Sequence, residues 1–180
     1  MFYFQIRKYS SGSQTSKSHR GFQYRDGLNI DHVPFDDNPK HTCCIGGLYF
    51  TGDKYLHEYL DGIYYIPDAT WIRQVFLPKD DPDFQMLIDP SGGKWRANRF
   101  VLGPRYAIDK PSTYVQLNIT MPNMHIAGNL GSIEILEWWK TSGLKLRYDE
   151  SSMRSLDIDA LKWWKNSELE LKYNESSMDQ

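Results

Sequence analysis

The sequence predicts an α+β fold: a mainly antiparallel β N-terminal domain with one or two helices over residues 1–112, then a short helical-repeat tail over residues 113–180. Three observations lead there. Runs rich in β-branched and aromatic residues, parted by Gly, Pro, Asp and Asn, recur through the first part. The second part repeats itself, because WWKTSGLKLRYDESSM at 138–153 returns as WWKNSELELKYNESSM at 163–178 with 11 of 16 positions identical. Between the two parts, Lys110-Pro-Ser-Thr113 reads as a junction. Repetition at a fixed offset marks a unit that cannot bury its own apolar face and stacks on a copy of itself.

Along the chain, strand-like runs fall at Phe2–Tyr9, Gly47–Thr51, Thr70–Leu77, Phe84–Ile88 and Arg99–Ile108. The stretch Ser10–Ser18 has no apolar residue and is expected to be a mobile loop. A helix is expected after Thr51, a candidate N-cap, because Tyr55, Leu56, Tyr59 and Leu60 share one helical face.

In the tail, Ile133, Leu136 and Trp139 lie on one side of a helix of period 3.6. With His125, Ile126 and Ala127 before them, these residues resemble an ankyrin repeat. The His-Ile-Ala run stands where the first-helix motif has its His and Ala, Gly131 at the inter-helix turn and Gly143 at the end of the second helix. The Thr-Pro that usually precedes the His is absent. From Trp138 to Trp163 the step is 25 residues, against about 33 for ankyrin units. The second copy is therefore read as truncated. Adjacent residues on a helix diverge by about 100°, so one Trp of each pair is expected in the repeat core and the other against a neighbour or a partner. Trp138, Trp139, Trp163 and Trp164 are the candidate interaction residues, and an open end at Leu161, Trp164 and Leu169 would favour self-association.

Composition narrows the function classes. A net charge of −2 and a pI near 6.2 give no footprint for nucleic acid or an anionic membrane, although Lys94, Arg96, Arg99 and Arg105 cluster locally. No stretch approaches the roughly 20 apolar residues of a membrane span, and a soluble, intracellular protein is expected. Cys43 and Cys44 are adjacent, which disfavours a bridge, so free thiols in a reducing compartment are expected. His19, His32, His41, His57 and His125 show no metal-ligand spacing. Asp36-Asp37 and Asp80-Asp81-Pro-Asp83 read as solvated turns, and Ser91-Gly-Gly-Lys94 as a β-turn. Neither a metal nor a cofactor is expected.

The ordered series His19 to Asn29, Pro34-Phe35, Cys44 to Thr51, Val75 to Pro78 and Lys94 to Arg99 resembles the N-terminal domain found ahead of ankyrin repeats in proteins of mimivirus-like giant viruses. The likeness covers roughly residues 1–110, and the repeats that follow agree with the same order. Proteins of that group are treated as ankyrin proteins of unknown role with no catalytic residue assigned, so the resemblance implies no site residue to carry over.

A second resemblance opens an alternative. Gly46-Gly-Leu-Tyr-Phe-Thr51 is similar to the Gly-Leu/Ile-Tyr-Phe segment of ADP-ribosyltransferases of the PARP type, which implies a nicotinamide pocket with His19 holding a ribose and Tyr49 stacking on the ring. That family orients the ribose with a late glutamate, and this chain has none between Glu58 and Glu134. Asp83, Asp89 and Asp109 are the stand-ins to consider.

The reading that follows is a non-enzymatic interaction protein of a giant virus, acting in host cytoplasm or virion. Its expected partner is a host or viral protein, bound through the ankyrin-like tail, the N-terminal domain or both, with homo-oligomerisation through the tail as a further expectation. Neither a membrane nor a nucleic acid is the expected partner. The alternative is an ADP-ribosyltransferase-like or other nucleotide-binding module, NAD-using, on the N-terminal domain.

Overall fold

The computed structural model describes residues 3–8, 22–56, 70–119, 132–143, 148, 150–153 and 158–172. The architecture is α+β, β-rich at the N-terminal side and helical towards the C-terminus. The chain divides into two compact units, the first reaching Ala107 and the second continuing from Ile108.

The first unit is an antiparallel sheet of β1 (Tyr3–Lys8), β2 (Gly27–Ile30), β3 (Leu48–Gly52), β4 (Thr70–Phe76), β5 (Met86–Ile88), β6 (Lys94–Ala97) and β7 (Arg99–Ala107), in the order β2-β7-β4-β1-β3-β6-β5. β1 joins two three-stranded halves, pairing with β4 over its full length and with β3 at Tyr3 and Phe4. Side chains alternate between faces with period two. One face is the core: Leu48 and Phe50 of β3, Val75 of β4, Ala97 of β6, Phe100 and Leu102 of β7, closed by Phe22 and Tyr24. Phe100 is its hub, edge-on to Phe50 at 5.8 Å and stacked with Tyr24 at 6.2 Å. Burying one such side chain contributes about 1.5–3 kcal/mol.

β7 shows how an irregular strand is accommodated. Its register with β4 shifts between Arg73 and Val75, and Gly103 and Pro104 sit at that irregularity, where a proline removes no ladder hydrogen bond. The buried Arg73 donates to the Gly103 carbonyl through Nε at 2.9 Å and pairs with Asp26 at 2.7 Å.

All five expected strands are present. Two more, β2 and β6, carry sequences that do not announce strands. The helix expected after Thr51 opens on a 3₁₀ turn at Asp53–Tyr55 and reaches helical backbone at Leu56, where the described part ends. Thr51 is not its cap, because it belongs to β3 and its hydroxyl donates to the Gly93 carbonyl at 2.7 Å, tying β3 to the β5–β6 turn. Tyr59, Leu60 and the loop Ser10–Ser18 lie outside the described residues.

In the second unit, α1 (Pro111–Gln116) starts with proline at its first helical position, where no amide donor is needed. Its buried Tyr114 donates a hydroxyl hydrogen bond to the Ile108 carbonyl at 2.8 Å, and burial raises the phenol's pKa. α2 (Ile133–Thr141) and α3 (Ile158–Asn166) fall on the two sequence copies. His125, Ile126, Ala127 and Gly131 lie outside the described residues.

Candidate functional site

The second face of the sheet holds a polar centre. β6 turns Lys94 and Arg96 away from the core, beside Tyr49 and Thr51 of β3, and residues 36–43 lie over them. Arg96 is fully buried, and its guanidinium donates to three backbone carbonyls, those of Asp36 (3.1 Å), Asn38 (2.6 Å) and His41 (2.5 Å). A guanidinium spreads several donors in a fixed plane, so one side chain holds the whole turn. Asp89, also buried, accepts from the Thr42 hydroxyl (2.7 Å), the Cys43 amide (3.0 Å), and the Ser91 hydroxyl (2.6 Å) and amide (3.0 Å). Lys94 and Arg96 lie 3.6 and 3.8 Å from its carboxylate. Burial raises the Asp89 pKa, but these donors outweigh it and hold the carboxyl well below the usual range. Asp36 is likewise depressed, chiefly by the His41 ring at 2.8 Å.

The glycines of the Gly46-Gly-Leu-Tyr-Phe segment have a packing reason. A Cβ on Gly46 would stand 2.5 Å from the Pro34 carbonyl, and one on Gly47 3.0 Å from the Arg96 side chain, and both have positive φ. The Gly47 amide donates to the buried Asp31 at 2.7 Å. Tyr49 gives its hydroxyl to the Cys44 carbonyl at 3.2 Å, and the Lys94 ammonium lies over its ring, 5.4 Å from the centroid. Burial raises its phenol pKa. The ring expected to stack on a nicotinamide is thus engaged within the chain. His19 lies outside the described residues. Of the candidate carboxylates, Asp89 is taken up as described, Asp83 forms a turn with Asp81, and the Asp109 carbonyl accepts from Ser132.

The four cations read as a local cluster are each engaged, Lys94 and Arg96 as above, Arg99 with Asp81 at 2.7 Å and Arg105 with Asp26 at 3.6 Å. Ser91-Gly-Gly-Lys94 forms the β5–β6 turn, closed by the Gly92 amide on the Asp89 carbonyl at 2.9 Å. Among the described residues, no group of three or more His, Cys, Asp or Glu side chains is arranged to hold a metal. Cys43 and Cys44 are free thiols.

The tryptophan pairs occupy corresponding places in the two copies and differ in burial. Trp139 is fully buried and Trp138 half-buried; Trp163 and Trp164 are both buried. Trp138 meets Tyr114 of α1 at 5.7 Å, and its counterpart Trp163 donates its indole N–H to Glu137 of α2. The same position therefore reaches the preceding described helix in each copy, and Trp139 meets Tyr114 as well, at 5.6 Å. Trp139 and Trp164 share a further trait, a buried indole N–H without a hydrogen-bond partner among the described residues. The open end expected at Leu161, Trp164 and Leu169 is narrower than that: Trp164 is covered and Leu169 half-buried, while Leu161 is 44% and Ile158 66% exposed.

Relatives place the chain. It is 46% identical over 100 residues to "Putative ankyrin repeat protein R868" of Acanthamoeba polyphaga mimivirus, covering 55% of this chain and 46% of that one. The mimivirus protein R869, described as uncharacterized, is 38% identical over 110 residues, 61% of this chain and 74% of its own length. The chain belongs to a family of mimivirus proteins that includes R869 and several relatives named for ankyrin repeats. A further member, "Putative ankyrin repeat protein R896" of the same virus, is 32% identical over 147 residues, 77% of this chain and 42% of the relative. The chain thus spans under half the length of these two relatives named for ankyrin repeats. No family model matches it, and neither does any solved structure. No helix among the described residues is long and apolar enough to cross a membrane.

The Asp89–Arg96 centre escaped sequence reasoning, which read its cations as a surface cluster. The one available signal was the alternation Lys94-Trp-Arg-Ala97, which puts both cations on one side of a strand.

Proposed function

We propose that this protein is a non-enzymatic interaction module that binds a host or viral protein through its helical tail, in host cytoplasm or virion. The carrying observation is the contrast between corresponding positions. Ile133 and Leu136 of α2 are half-buried and fully buried, whereas Ile158 and Leu161, 25 residues later, are exposed. Trp138 and Trp163 look back to the preceding helix, so Ile158 and Leu161 lie on the side where a following helix would pack. The occupant that fits is an amphipathic helix of a partner protein. Glu137 accepts an indole N–H from α3, but Lys162 holds the corresponding place in α3 and can only donate. The partner helix is therefore expected to carry a carboxylate beside its apolar stripe. The buried Trp139, Trp163 and Trp164, with Trp138, support this surface from behind.

The test is quantitative capture from infected-host lysate with the tagged full chain, comparing wild type with Leu161→Glu and Ile158→Glu. A partner captured by wild type and lost from both variants, with unchanged melting of the free protein, supports the reading. Equal capture by all three sinks it. Light scattering of the same proteins assigns the face to a second copy instead if wild type is dimeric and the variants are monomeric.

A further inference from the structure

The two edge strands of the sheet, β2 and β5, are treated differently by the chain. At β2 the Leu28 carbonyl already accepts from Arg25 Nε at 3.0 Å, and Asn29 Nδ2 donates to the Arg25 and Gly27 carbonyls at 2.8 and 2.9 Å. A strand docking there would have to displace a charged side chain, which is one way of closing an edge. β5 has no such cover among the described residues. In the β5–β6 hairpin, the Asp89 amide donates to the Lys94 carbonyl at 3.0 Å and the Asn98 amide to the Gln85 carbonyl at 3.1 Å. Bonded pairs alternate along an antiparallel ladder. Gln85, Leu87 and Asp89 therefore turn their backbone groups to β6, and Met86 and Ile88 turn theirs to the free edge.

The side chains agree with an unfinished sheet. Across β3, β6 and β5 the core-side rows run Leu48–Ala97–Met86 and Phe50–Trp95–Ile88. Both rows begin buried and end open, at Met86, 37% exposed, and Ile88, 54% exposed.

An extended backbone satisfies in-plane donors and acceptors at this spacing, and β5 itself fits them. Two limits decide the register. The Phe84 amide is closed onto the Asp81 carbonyl at 3.0 Å, and Pro90 has no amide, so neither can donate to a neighbour. A second β5 laid antiparallel meets both limits when Met86 stands opposite the copy's Ile88 and Leu87 opposite the copy's Leu87. The N–H and C=O groups of Met86 and Ile88 are then all paired, in both strands. Sliding by two residues either way sets a free carbonyl against the closed Phe84 amide or against Pro90. The same register directs the acidic run Asp80, Asp81 and Asp83 towards residues 91–94 of the copy, which hold Lys94 and no carboxylate.

We propose that β5 is a self-pairing edge, through which two copies of this chain join their sheets about a two-fold axis at Leu87. The apolar rows then run on from Met86 and Ile88 into the copy's Ile88 and Met86. A strand of 3 residues makes a small interface, so the dimer is of the weak, concentration-dependent class, with a dissociation constant of order 0.1 mM. This edge lies in the first unit and α3 in the second, so substitutions separate an association through β5 from one through α3.

The test is sedimentation velocity of the full chain over a series reaching about 1 mM. Wild type is expected to pass from monomer to dimer. Ile88→Lys should weaken pairing about tenfold or more, because a lysine then faces the copy's Met86. Adding Met86→Glu should restore it, since the register sets that glutamate against the copy's lysine. Oxidation of Leu87→Cys should link two chains, because facing residues of a non-bonded pair lie about 4.5 Å apart at Cα, within disulfide reach. Mass spectrometry of the linked peptide identifies the 87–87 bond. A monomer throughout the series overturns the proposal. So does a dimer that persists in Ile88→Lys, or one lost in Leu161→Glu instead, which gives the association to α3. If Ile88→Lys does not fold, Leu87→Cys decides alone, and absence of the 87–87 bond overturns the proposal.

Discussion

The two copies in the tail are nearly one sequence in two environments. Backbone features are copied faithfully. Ser142 and Ser167 each turn a hydroxyl to a carbonyl three residues back, that of Trp139 or Trp164, at 2.8 Å in both cases. The residues that follow, Gly143 and Glu168, both adopt left-handed backbone, at φ 72° and 60°. Exposure is not copied: Leu136 is buried and Leu161 is not. Local sequence sets how each helix starts, ends and turns, because those bonds close within a few residues. What covers a face depends on position in the stack, and equal sequences then have unequal burial.

The largest effect that separates the copies is a truncation repeated in each. Leu136→Ala leaves a cavity in a fully packed site and should cost about 2–5 kcal/mol. Leu161→Ala, at a position already 44% exposed, should cost less than about 1 kcal/mol in the free protein. Denaturant midpoints of the two variants measure this. Equal losses would mean that both faces are covered in solution, as in a dimer through α3.

The same distinction decides what the sequence made legible. Strands with period-two apolar patterns were readable, since the pattern is local. β2 and β6 were not, because Gly-Leu-Asn-Ile and Lys-Trp-Arg-Ala mix strand formers with Gly, Asn and cations. Gly46 and Gly47 suggested a nucleotide motif, whereas their necessity comes from Pro34 and Arg96, one 12 residues before Gly46 and the other 49 after Gly47. Cys43 and Cys44 look alike in the sequence, yet Cys43 meets the Lys94 ammonium, 51 positions away, and Cys44 the Tyr49 hydroxyl. Likewise the helical period separates Trp163 from Trp164 by about 100°, yet both are buried, because α2 meets one and Tyr148 the other, at 5.5 Å.

A second, smaller contrast concerns the link between the copies. Glu137→Leu removes the acceptor of the Trp163 indole N–H, which sits on a buried ring, and should cost about 1–3 kcal/mol. Glu137→Gln keeps a carbonyl acceptor and should recover most of it. Lys162→Leu, at the corresponding place in the second copy, breaks only an exposed pair with Asp159 at 3.0 Å and should stay within about 0.5 kcal/mol. Thermal melts followed by Trp fluorescence test all three. A loss for Lys162→Leu as large as that for Glu137→Leu would show that Lys162 is covered.

The smallest contrast lies in the one turn the copies share with different residues. A residue with a Cβ in left-handed backbone is strained by about 1–2 kcal/mol, whereas glycine is not, though it loses about 0.5–1 kcal/mol more chain entropy on folding. A Cβ on Gly143 would have nothing within 4 Å among the described residues, so a side chain there meets only the backbone penalty. Glu168→Gly should therefore stabilise the protein by about 0.5–1 kcal/mol, and Gly143→Glu should destabilise it by a similar amount. Making the two turns identical in either direction thus moves the melting midpoint in opposite senses. Shifts of the same sign would show that Glu168 makes a contact that offsets its backbone strain, and that the second turn is held by its side chain as well as by its copied hydrogen bonds.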